Sequence, residues 1–140
     1  MTPRASIEAE CRRVGTDRVV ASCIQILSGG DVDEEILLVL AGPSAHALLR
    51  GEEGGVTGNW PRVWAMRGLL HAWDDVAANA VIEGANDASW RVREMAAKVV
   101  ARRSVDGAFE AMARLTDDPV PRVKKAAERA LIRLVESESS

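Results

Sequence analysis

The chain has 140 residues, a formal net charge of −3 and 47% hydrophobic residues, with one Phe and no Tyr. That length buries a core as one domain, residues 1–140, without staples, and that hydrophobic share excludes wholesale disorder. The negative total argues against a generic nucleic-acid coat protein, and the scarcity of strand-forming aromatics points to an all-α fold.

In chain order, helices are expected near Pro3–Val14, Asp17–Leu27, Val32–Leu40 and Pro43–Leu49. The breaks fall at "SGGD" (Ser28–Asp31) and at Gly42-Pro43. The opening "MTPRASIEAECRR" has no apolar core behind a basic leader, so it does not read as a signal peptide. "ILLVLAG" (Ile36–Gly42) is too short to span a bilayer, and a cytoplasmic protein without membrane partners is expected. Cys11 and Cys23 have no CxxC spacing, and only His46 and His71 could add imidazole. Two reduced thiols packed in helices are expected, with a disulfide between neighbouring helices as the alternative, and no metal or cofactor. "GEEGGVTGN" (Gly51–Asn59) reads as a flexible loop.

From there the chain repeats itself. "NWPRVWAMRGLL", "SWRVREMAAKVV" and "VPRVKKAAERAL" start at Asn59, Ser89 and Val120. Asp75–Val105 aligns without gaps on Asp106–Glu136, a period of 31 residues with eight identities, among them Asp87/Asp118, Arg91/Arg122 and Ala96/Ala127. Each unit reads as a short helix (Val76–Gly84, Gly107–Leu115), a turn ("ANDAS", "TDDPVP") and a longer helix. Val92, Met95, Ala96, Val99 and Val100 form one apolar stripe, and Val123, Ala126, Ala127, Ala130 and Leu131 form its copy. Neither pair buries its stripe alone, so stacking is expected, with repeats at 59–74, 75–105 and 106–136. Trp73 should close the helix of the first phrase, and the polar tail "ESESS" should fray.

At "DDPVPRVKKAAERAL" (Asp117–Leu131) and "NDASWRVREMAAKVV" (Asn86–Val100) the chain resembles the HEAT-repeat proteins of the short-period type. "GNWPRVWAMRGLL" (Gly58–Leu70) is a weaker match, with Arg67 and Gly68 where alanines belong. The resemblance implies an α-solenoid of stacked helix pairs, a HEAT-like superhelix that binds macromolecules on the concave face lined by second helices. It also implies that Asp87 and Asp118 cap the second helices, and that Arg91 and Arg122 pair with an Asp of the adjacent repeat.

Charge separates by helix. Ser89–Arg103 and Pro121–Val135 each hold five Lys/Arg and one Asp/Glu, while Asp74–Asp87 holds four acids and no base. A basic second-helix face follows, with Arg62, Trp64, Arg93, Lys98, Lys124 and Arg129 as candidate binding residues. An acidic protein segment or helix is the expected partner, and nucleic acid on the same face the alternative. A third reading, from a resemblance of some short HEAT-like proteins to bilin-attachment factors, is an accessory to a small-molecule enzyme.

No enzyme is expected: the chain has no Gly-rich phosphate loop, GxSxG or HExxH. His71, three residues before Asp74, is a lone pair without a nucleophile. Bacterial alkylpurine DNA glycosylases are also built from HEAT-like repeats, and Trp64, Trp90, Arg93 and Asp87 echo their tryptophans, basic face and catalytic Asp. Those enzymes use a longer array, and Asp87 already has a capping role.

Overall fold

The computed structural model describes residues 2–31, 34–42 and 59–139, all helix, turn or coil without a strand among them. It divides into two compact units, Met1–Ala77 and Ala78–Ser140. No helix among the described residues is long and apolar enough to cross a membrane. The helix expected at Pro43–Leu49 and the glycine-rich loop at 51–58 lie outside the described residues.

The first unit holds α1 (Pro3–Val14), α2 (Thr16–Leu27), α3 (Glu34–Ala41) and α4 (Trp60–His71), followed by a 3₁₀ turn at Asp75–Ala77. Thr2 starts α1 because its hydroxyl accepts the Ala5 N–H and Pro3 fits the first turn. Gly15 ends it at φ +98°, a conformation that side chains other than glycine rarely adopt. Ile7, Val19, Cys23, Leu37, Leu40, Met66 and Leu69 are fully buried, and each large aliphatic side chain among them contributes about 1.5–3 kcal/mol by leaving water.

Gly68 explains why the first phrase departs from the alanines of its copies. A Cβ at this position would lie 2.7 Å from Leu40 Cδ2 and 2.9 Å from Cys23 Sγ, so α4 meets α2 and α3 more closely than alanine permits. Next to it, Arg67 donates from its terminal nitrogen to the Leu40 carbonyl at 2.7 Å, serving the C-terminal end of α3. Trp73 does not close α4. The helix ends at His71, Ala72 is extended, and Trp73 Nε1 donates to Asp75 Oδ1 while Asp74 Oδ1 accepts the Val76 N–H.

The second unit is two helix–turn–helix pairs: α5 (Ala78–Gly84) with α6 (Trp90–Arg103), and α7 (Phe109–Leu115) with α8 (Pro121–Ser139). Val92, Ala96, Val99 and Val100 on α6, and Val123, Ala127 and Ala130 on α8, are fully buried. The small alanines let α6 and α8 lie side by side. Met95 and Leu131, expected in the stripes, sit half-buried at their edges. The expected frayed tail is helical to Ser139, and Leu134 is buried on its inner side.

Cys11 and Cys23 are free thiols, the first half-buried and the second fully buried. Burial, and then the neighbouring Cys11, push the Cys23 thiol up to about 12, so it stays protonated and unreactive.

Candidate functional site

Three residues on α6, Arg91, Lys98 and Arg102, follow an i, i+7, i+11 spacing and are exposed on one side of the helix. Shifting by 31 residues gives Arg122, Arg129 and Arg133 on α8, also exposed and on one side. The two helices therefore carry equivalent cations at three levels, as a two-row ladder with rungs Arg91–Arg122, Lys98–Arg129 and Arg102–Arg133.

The rows adjoin, and Glu94 shows where. This carboxylate is only 8% exposed. It accepts from Arg122 Nε across the helix interface at 2.9 Å, and Lys98 Nζ approaches the same oxygen at 3.9 Å. Trp90 anchors the first rung, with the Arg91 guanidinium carbon 4.6 Å and that of Arg122 5.3 Å from its ring centroid. Such contacts are worth about 0.5–1 kcal/mol each at exposed sites. Beyond that rung, Arg102, Arg129 and Arg133 form no ion pair with any described residue. Levels are separated by about 10 Å and then about 6 Å along the helices, and the rows by about 8–10 Å.

The candidate residues read from sequence scatter across this geometry. Lys98 and Arg129 share the second rung. Arg62, in register with Arg91 and Arg122, is half-buried at the start of α4. Trp64 is not an exposed anchor: it is 4% exposed and its ring stacks on Trp60, with centroids 6.1 Å apart and planes at 28°. Burial of its large apolar surface outweighs the outward position that the register suggested.

Lys124 is exposed but five residues from Arg129, about 140° away around α8, so the two do not share a face. Arg93 is a structural staple. Its NH1 donates to the carbonyls of Asp87 (2.9 Å) and Ala88 (3.1 Å), and Nε and NH2 reach the two carboxylate oxygens of Asp118 at 2.8 and 3.3 Å.

An inter-repeat Arg–Asp pair runs from Arg93 to Asp118, and Arg122 holds Glu94 rather than an Asp. Asp118 bonds no first-turn N–H of α8 among the described residues. Asp87 Oδ1 accepts from Ser89 N at 2.8 Å and Asp118 Oδ1 from Val120 N at 2.9 Å, folding the turn that leads into each helix. Burial alone would raise the Asp118 carboxyl. The hydrogen bonds from Arg93 and Val120 outweigh it and hold the group below its usual value of 3.8.

The ladder does not show in the charges of any single phrase. The signal in the sequence was the 31-residue shift applied to i, i+7, i+11, which returns a cation each time. Among the described residues no group of three or more His, Cys, Asp and Glu gathers to hold a metal ion. Compared with protein-family models, with curated proteins and with solved structures, the chain has no match in any of the three.

Proposed function

We propose that the chain is a cytoplasmic, non-catalytic binding module of the HEAT-like α-solenoid type, and that an acidic helix of a partner protein lies along the α6–α8 ladder. The observation that carries this reading is the register-equivalent cation pair at each of three levels, six cations against the carboxylates of Glu94 and, on the same side of α8, Glu136. An acidic helix with carboxylates at i, i+7 and i+11 runs parallel to the rows and meets every level. The Trp90 ring is occupied by two guanidiniums, which leaves it a poor stacking platform for bases and favours a peptide over single-stranded nucleic acid.

The test uses a labelled 15-residue oligoglutamate and a 15-base-pair duplex as probes. Wild type should bind the peptide with an affinity that falls as salt rises. The triple reversal Arg102→Glu, Arg129→Glu, Arg133→Glu should weaken binding by at least about tenfold. Reversing Arg12, Arg18 and Arg114 instead, the same change in net charge away from the ladder, should cost far less. Tighter binding of the duplex at equal salt would replace the peptide reading with a nucleic-acid one. Equal loss in both triple variants would remove the ladder from the site.

A further inference from the structure

The same 31-residue shift exposes a second surface, on a different side of α8. On α6 the side bearing Arg93, Ala97 and Val100 is used up inside the unit: Arg93 holds Asp118, and Ala97 and Val100 are fully buried. The shift carries these positions to Lys124, Glu128 and Leu131. There Lys124 and Glu128 are exposed, Leu131 is half-buried, and Ile132 and Val135 beside them are 59% and 52% exposed. A side that takes a neighbouring helix in one repeat is thus open in the other.

We infer that this side of α8 pairs with the same side of α8 in a second copy of the chain, antiparallel and two-fold symmetric. Lys124, Leu131 and Glu138 recur every seven residues and share one stripe, which Val135 and Ile132 widen. The stripe is self-complementary only in the antiparallel sense. With Leu131 on the two-fold axis, Lys124 of each copy faces Glu138 of the other, Leu131, Ile132 and Val135 gather about the axis, and the exposed Glu128 sits between Lys124 and Leu131. Lys124 and Glu138 have no ion-pair partner among the described residues, so both are available for this contact. A two-fold interface of this kind closes on itself and stops at a dimer. It leaves the cation ladder clear, because Arg122, Arg129 and Arg133 lie on another side of the helix.

Sedimentation velocity at about 10–500 µM tests the pairing, with helicity checked in every variant. Wild type should dimerise reversibly within this range. Lys124→Glu alone and Glu138→Lys alone each turn two attractions into two repulsions, and each should weaken the dimer by about tenfold. The double variant should recover wild-type association, and an equimolar mixture of the two single variants should form a heterodimer. A wild type that stays monomeric throughout overturns the inference. So does a double variant, or a mixture, no better associated than the single variants.

Discussion

Arg93 serves two turns of the second unit at once. Its guanidinium closes two carbonyls of its own turn and grips both oxygens of Asp118 in the next. A lost turn bond alone costs about 1 kcal/mol. Asp118→Ala also strands the half-buried Arg93, so the loss should reach about 2–3 kcal/mol in denaturant melts. Asp118→Asn keeps an acceptor for the Val120 N–H and should cost less than the alanine. A loss in Asp118→Ala no greater than that of a simple cap would mean the ion pair contributes nothing.

The pH dependence follows from the same carboxylate. Its folded value lies below the usual 3.8, so its stabilisation is present above that value and disappears as pH falls through the folded one. Wild type should therefore lose more stability than Asp118→Asn between about pH 5 and pH 2, measured by urea midpoints. Parallel loss in the two proteins contradicts this.

At the scale of elements, Gly68 sets two effects against each other. Helix propensity favours Gly68→Ala by about 0.5–1 kcal/mol. The added Cβ would sit 2.9 Å from Cys23 Sγ, a fully buried and short side chain that cannot swing clear. Overpacking of this kind costs about 1–3 kcal/mol, so the variant should melt below wild type. A higher melting temperature would show that α4 can shift away from α2.

Most of the helices were legible from the sequence. The 3.6-residue periodicity of α6 and α8 and the breaks at Ser28–Asp31 and Gly42 mark helix ends to within one or two residues, apart from the tail of α8. What was not legible has physical reasons. Trp73 leaves the helical path because the carboxylates of Asp74 and Asp75 take up the Val76 N–H and the indole N–H in a turn. The "ESES" tail stays helical because Glu is a good helix former and Leu134 is buried just before it.

For the whole molecule, a net charge of −3 hides a strongly basic strip. Charges counted by helix mix three sides of α6 and α8: Arg93 toward the next turn, Lys124 on the open side of α8, and Lys98 and Arg129 on the ladder. Only the three-dimensional register separates these roles. Trp64 misled for a related reason, since its position matched charged residues in the other copies while its bulk demanded burial.

If the two rows of cations on α6 and α8 form the binding surface, backbone amide shifts during oligoglutamate titration will report it residue by residue. The largest shifts are expected around Lys98, Arg102, Arg129 and Arg133, saturating together, with Lys124 and residues of α1 and α2 little changed. Shifts centred on Lys124 or on the first unit, with the ladder silent, would contradict it.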